Sequence, residues 1–318
     1  MPTFLWFLGW LSGVAQSAAP APALRPFADY EPTGYIVMSA ADGHGAGPLK
    51  RELARHLPSD VTLILYSDGR LPDDSARVVD EYRQLLPADR LVHVTWPKAK
   101  DGFWSRDALP VPLVDAAGRL VLTDARYWTG FEPDAHVGRL FNARVLTHSG
   151  QFEGGNFLAN DRGDCFLVQT RLSNRISDRT FIERYGCRAV TRLPRDGGIG
   201  HIDERARFVS PATVVTDSVE YDAIFTARGF RTVRLPRPPG RYETYVNALF
   251  VNRTVFMPRF GRATDDEAAR VYRRLGFTVV GLDSRALSAK GKGSLHCIAM
   301  NYPRGPIVTA APSRPHLP

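Results

Sequence analysis

Residues 291–300 read GKGSLHCIAM. Two glycines flank a lysine, and an apolar run follows that carries a histidine and a cysteine side by side. The spacing predicts a glycine loop feeding a strand, with Cys297 on that strand. Read outward from it, the chain repeats the same grammar of short, β-branched apolar runs bounded by polar or turn residues. Such runs are YIVMSA (35–40), VTLILYS (61–67), RLVHVTW (90–96), GRLVLTD (118–124), ARVLTHS (143–149), CFLVQT (165–170), ARFVSPATVV (206–215), TYVNALFVNRTVFM (244–257) and FTVVGL (277–282). Helical periodicity falls between some of them, at DDSARVVDEYRQLL (73–86) and DDEAARVYRRLG (265–276). The second has Thr264 as its expected N-cap, acids in the first turn and arginines in the last, as the helix dipole favours. Strands alternate with helices, so the fold class is α/β or mixed α+β. A repeated strand-rich unit is suggested, although no exact sequence repeat is present.

No Gly/Ser linker divides the 318 residues, which predicts one domain over 25–303 and a loose tail over 304–318. The leader, residues 1–24, has an apolar run from Phe4 to Val14 and small residues from Ala15 to Ala19, but its first basic residue is Arg25. It reads as a secretory signal peptide too short to span a bilayer, which predicts a periplasmic or extracellular protein without a stable membrane anchor. Without that signal the protein would be cytoplasmic. The net charge of +8 comes from 36 arginines and 5 lysines, spread along the chain with no basic block, so no nucleic-acid partner is expected. Cys165 and Cys187 lie in strand-like contexts and can bridge in an oxidising compartment, leaving Cys297 as the odd thiol. The sequence sets no oligomeric state.

Four polar clusters fall at the ends of apolar runs: WSRD (104–107), FEGGN (152–156), GHIDE (200–204) and LHC (295–297). If 201–203 is extended, His201 and Asp203 share a face. The alternative is a surface pair opening a helix, with Glu204, Arg205 and Arg207 in solvent. Glu153 precedes two glycines that allow close approach of a ligand or simply a tight turn. Trp104 can wall a cavity or be core, and Cys297 can be a nucleophile or a buried filler. No C-x-x-C pair and no histidines at i, i+4 suggest a metal site, and no glycine-rich phosphate loop follows a strand.

Six segments occur in order: YEPTGYIVMSA, FWSRDALPV, FEGGNFLANDRG, GHIDERARFV, YVNALFVNRTVFMPRFG and GSLHCIAMNYP. Together they resemble the agmatine deiminase and bacterial-type peptidylarginine deiminase family, over about Glu31 to Pro303. The resemblance implies the pentein fold, an α/β propeller of five strand-rich units. It implies hydrolytic deimination of a guanidino group on agmatine, arginine or peptidyl-arginine, giving a ureido product and ammonia without metal or organic cofactor. Cys297 would be the nucleophile and His201 the general acid/base. Asp107 and Asp203 would grip the guanidinium, Glu153 would orient the histidine, and Trp104 and Asn247 would complete the substrate pocket. The segment Ala108-Leu109-Pro110 departs from the family's Gly-Pro, and TDARYWTGFEPDA (123–135) matches neither substrate pattern. Two other readings share these residues: an amidinotransferase working through the same covalent intermediate, and an exported guanidinium-binding protein without turnover.

Overall fold

The computed structural model describes residues 24–68 and 72–308, and of 72–76 the backbone alone. Residues 1–23 of the expected leader and 309–318 of the expected tail lie outside these residues. Among the described residues the strands form five sheets of three or four strands, and each sheet is built on the same unit. Two antiparallel strands are followed by a helix, which returns the chain to a third strand parallel to the second.

In the first unit Val111–Asp115 pairs with Leu120–Thr123, and helix Asp134–Leu140 leads to Arg144–Leu146. The second runs Leu158–Ala159, Asp164–Val168, helix Asp178–Tyr185 and Ala189–Leu193. The third runs Ala206–Ser210, Thr213–Thr216, helix Val219–Ala227 and Arg231–Arg234. The fourth runs Leu249–Val251, Thr254–Arg259, helix Asp265–Arg274 and Thr278–Asp283. The fifth joins the two ends of the described chain: Met300–Pro303 pairs antiparallel with Thr33–Ser39, which continues through helix Gly47–Arg55 to Thr62–Ser67 and through helix Pro72–Arg83 to Leu91–Thr95. Leu24–Pro26 adds an antiparallel edge to the first unit. The long runs 206–215 and 244–257 are therefore hairpins. Pro211 breaks the first, and Asn252, with φ 56°, turns the second.

Apolar faces of sheets and helices pack into cores that join adjacent units; Leu249, Val251 and Phe256 of the fourth unit pack with Ile36, Leu63 and Leu65 of the fifth. Three sequence expectations change. Thr264 stands at the N-terminus of its helix in helical conformation and does not cap it; its hydroxyl bonds Tyr245, while the buried Asp265 carboxylate accepts from the backbone N–H of Phe260 and Gly261. The last strand begins at Met300, not before Cys297, because the backbone around the cysteine is spent on other units: His296 N–H donates to Asn247 O, and Cys297 O accepts from Arg106 N–H. Residues 304–308 are tied down, with Val308 N–H on Leu140 O at 2.7 Å and Arg304 paired with Asp60. Cys165 and Cys187 form the disulfide that the sequence allowed. No helix among the described residues is long and apolar enough to cross a membrane.

Candidate active site

The residue or residues each unit contributes sit in the short turn immediately before its first strand. Asp107 lies in the helical turn Ser105–Ala108, Glu153 precedes the turn Gly154–Asn156, His201 precedes the turn Ile202–Glu204 that contains Asp203, Asn247 lies just ahead of Leu249, and Cys297 just ahead of Met300. A pre-strand turn leaves backbone groups unpaired by any ladder, so these turns bond to one another. Gly155 N–H donates to Asp107 Oδ1 at 2.9 Å, and Asn247 Nδ2 donates to Asp203 O at 3.3 Å. Gly155 has to lack a side chain: a Cβ there would lie 2.6 Å from Asp107 Oδ1, 2.9 Å from His201 Nδ1 and 3.1 Å from Asp203 Oδ2.

The turns enclose a cavity of about 280 Å³ lined by Trp104, Asp107, Glu153, His201 and Cys297 of the sequence-derived set. Asn247 and Asp203 stand directly behind the sulfur. Asn247 Nδ2 donates to Cys297 Sγ at 3.2 Å, and Asp203 Oδ2 lies 3.6 Å from it. His201 and Asp203 are not on one strand face, since 202–204 is a helical turn. They reach the site with different partners, His201 Nε2 on Glu153 Oε2 at 2.9 Å and Asp203 Oδ2 accepting from His296 Nδ1 at 2.7 Å. Glu204, Arg205 and Arg207 are buried rather than solvated.

Charge is concentrated here. Burial opposes protonation of His201, but Asp107, the Glu153 hydrogen bond and Asp203 outweigh it and raise its pKa to about 10. Burial, with Glu153 and Asp203 nearby, raises Asp107 to about 7. Glu153 is held below the usual carboxylate range, because its bond to His201 outweighs its burial. Burial, then Arg106 and Arg207, hold His296 neutral, so its Nδ1–H serves Asp203 as a neutral donor. Burial, then Asp203 and Asp107, push the Cys297 thiol well above its ordinary value. The cavity therefore holds a protonated thiol beside carboxylates, and a bound cation would offset that balance. Two buried atoms at the site lack a hydrogen-bond partner among the described residues, His201 Nδ1 on the lining residue and Asp203 Oδ1 behind the sulfur. Asp107, Glu153 and His201 bring ligand atoms within 4.8 Å of one another, a spacing usable by a divalent ion. The carboxylates of Asp107 and Asp203 suit instead a planar organic cation with several N–H donors.

Sequence reading missed part of the lining. Tyr127 and Trp128 come from the segment that matched no pattern, and Ile199 and Lys292 from the loops before His201 and Cys297. His44 was missed too; it stacks on Trp104 at 5.5 Å. Alternation of polar and apolar residues carries no signal for a side chain supplied by a loop. The glycines around Lys292 carried a usable one, since a Cβ at Gly293 would lie 2.8 Å from Trp104 and 3.2 Å from Cys297 Sγ.

Residues 51–303 match the model of the Porphyromonas-type peptidyl-arginine deiminase family. A Streptomyces coelicolor protein named "Putative agmatine deiminase" is 29% identical over 260 residues, covering 64% of this chain and 76% of its own. The solved agmatine deiminase of C. jejuni superposes with a TM-score of 0.73 at 18% identity, covering 92% of this chain and 99% of that one. That of Enterococcus faecalis gives 0.72 at 15% identity over 89% and 96%.

Proposed function

The chain belongs to the Porphyromonas-type peptidyl-arginine deiminase family and has the pentein fold, and from that footing we propose how its own residues carry out guanidino deimination. The guanidinium of an arginine-type substrate enters the cavity between Trp104 and the carboxylates. Asp107, facing the cavity, takes two of its N–H donors, and Asp203 Oδ1, which has no hydrogen-bond partner among the described residues, accepts another as the guanidinium comes up to the sulfur. The incoming charge offsets the two carboxylates that hold the thiol protonated, so the thiol gives its proton up to solvent, and the N–H of Asn247 on Sγ favours the thiolate that remains. Cys297 Sγ then bonds to the guanidinium carbon. His201, protonated by its carboxylate partners, gives its proton to the departing ammonia. The thiouronium left on sulfur is hydrolysed by water, which His201 deprotonates, and expulsion of the thiolate leaves a ureido group. Glu153 keeps the imidazole oriented throughout.

The observation that carries this reading is the sulfur, imidazole and carboxylates on one cavity wall. Export is also proposed; the N-terminal sequence pattern supports it, as does the Cys165–Cys187 disulfide, a bond favoured in oxidising compartments.

Purified protein incubated with agmatine, free arginine and arginyl peptides should release ammonia and a ureido product from at least one. Cys297→Ser should lower turnover by roughly 10³-fold or more, since it replaces the attacking atom. A wild-type rate in that variant rejects the nucleophile, and no ammonia from any of the three rejects deimination.

A further inference from the structure

Beside the catalytic cavity lies a second recess of about 500 Å³, lined by Arg195, Arg237 and Arg241 together with glycines and prolines. The loop 195–201 contributes residues to both linings. Gly197 and Gly198 face the basic recess, while Ile199 and His201 face the catalytic cavity. The floor is stiffened by Pro238 and Pro239, whose backbone φ is fixed.

Most of the positive charge here is uncompensated. Arg237 lies 3.3 Å from Asp196. Arg195 donates only to backbone carbonyls, at 3.2 Å to Gly198 O and 3.3 Å to Ile199 O. Arg241 rests on the Tyr242 ring at 5.3 Å. Lys292, on the rim of the catalytic cavity, rests on the same ring at 5.8 Å. Among the described residues neither Arg195, Arg241 nor Lys292 has a carboxylate within ion-pair distance. The acid nearest Gly240, Glu243, accepts from Arg262 Nε at 2.9 Å and Nη2 at 2.8 Å. A cationic track thus leads from the recess, over Tyr242, to the mouth of a cavity whose inner wall is anionic.

We propose that this recess binds a carboxylate-bearing stretch of polypeptide next to the arginine being deiminated, so that the preferred substrates are arginines in an acidic context. The inference rests on the deiminase reading. The ligand must offer a guanidinium to one cavity and anions to its neighbour. A peptide does this within about three extended residues, the span from Lys292 to Arg241 across Tyr242. Arginine forks suit carboxylates bidentately, and exposed cations steer an acidic segment toward the mouth. Agmatine is cationic at both ends and would bring its ammonium past Lys292. A nucleic acid supplies the anions but no guanidinium.

The test compares two arginyl peptides of equal length, one with aspartates flanking the arginine and one with asparagines. They are assayed on wild-type protein and on Arg237→Glu/Arg241→Glu, at low and high salt, with agmatine alongside. Wild type should prefer the acidic peptide by about tenfold in kcat/KM, the size that two exposed ion pairs supply together, and salt should shrink the ratio. The double variant should bring the ratio to one or below; because the ratio is internal to each protein, a general loss of activity does not imitate this. A wild-type ratio of one, a preference that survives in the variant, or turnover of agmatine with no peptide turned over each overturns the proposal while deimination stands. Should no guanidino compound react, deimination itself fails. Anisotropy of a labelled, arginine-free acidic peptide on Cys297→Ala protein then decides the recess alone. Binding weakened by the two charge reversals supports it; no binding, or displacement by an equal charge of oligonucleotide as effective as by peptide, overturns it.

Discussion

At the scale of single residues, the site is poised around three protons. His201 holds one to about pH 10, the Cys297 thiol holds one well past its usual range, and Asp107 gives one up near 7. The carboxylate of Asp107 has to be ionised to receive a guanidinium. In the free enzyme, then, kcat/KM should fall as pH drops through about 7, and it should decline again as His201 loses its proton near 10. Asp107→Asn should remove the acid limb and lower kcat/KM by roughly 10²-fold. A profile that stays flat between about pH 5 and 8 would show that Asp107 does not govern binding. The residue types and their order were legible in the sequence, because a thiol, an imidazole and paired carboxylates are each unusual at the edge of an apolar run. What surrounds them was not. His296 reads as a mere neighbour of the cysteine, yet it fixes Asp203 at 2.7 Å. Arg207 is a solvated charge in the alternative reading of this stretch, yet it is 1% exposed. Burial of a charge depends on partners far away in the chain, which no local pattern reports.

Among the elements, the decisive feature is the turn before the first strand of each unit. Apolar alternation located most of the strands, since burial on one face imposes it. The turns followed from no propensity; each is held by bonds to the next unit, as Gly155 N–H is by Asp107. That is why the extended reading of 201–203 and the strand reading of 295–299 both gave way to helical turns and loops. The disulfide acts at this scale too. It ties Cys165, on the second strand of its unit, to Cys187, just past the helix that crosses over, 22 residues later. Neither cysteine lines the catalytic cavity. Replacing both with alanine should cost about 3 kcal/mol of stability through the loop released in the unfolded chain. It should leave kcat on a good substrate within about twofold, because the active-site turns are held by other bonds. Chemical denaturation of the variant in parallel with a turnover assay measures both quantities. Stability unchanged to within about 0.5 kcal/mol would mean that the linked segments stay close in the unfolded chain without the bond.

Across the whole molecule, the units are joined beneath the site by one buried ionic knot. Asp29 enters from the N-terminal segment and meets Arg207 of the third unit at 2.7 Å and Arg106, beside the first, at 3.2 Å. Arg106 also donates to Ala299 O at 3.1 Å and Asn301 Oδ1 at 2.8 Å in the fifth unit, and Arg207 lies over Phe250 of the fourth at 5.5 Å. His296 stands between the knot and Asp203, with Nε2 3.6 Å from Asp29 and Nδ1 on Asp203. Burial works against the Asp29 charge, but the two arginines prevail and hold its carboxyl well below the usual range. A carboxyl depressed on folding contributes stability that is fully present above its unfolded pKa, about 3.9, and is lost as pH falls through the folded value. Asp29→Ala should therefore destabilise the protein by about 3–5 kcal/mol at neutral pH, because it strands two buried guanidinium groups without a counter-ion. The loss should shrink below about pH 3.9, where the unfolded chain takes up a proton that the folded carboxyl does not, and the two proteins converge only once pH passes the depressed folded value. Unfolding measured by denaturant at pH 7 and at about pH 3 tests the sign as well as the size. If the variant matches wild type at pH 7, water or another acid balances the arginines, and the knot is not what holds the units around the cavity. If the gap between the two proteins widens in acid, the carboxyl of Asp29 is not the ionised partner the geometry requires.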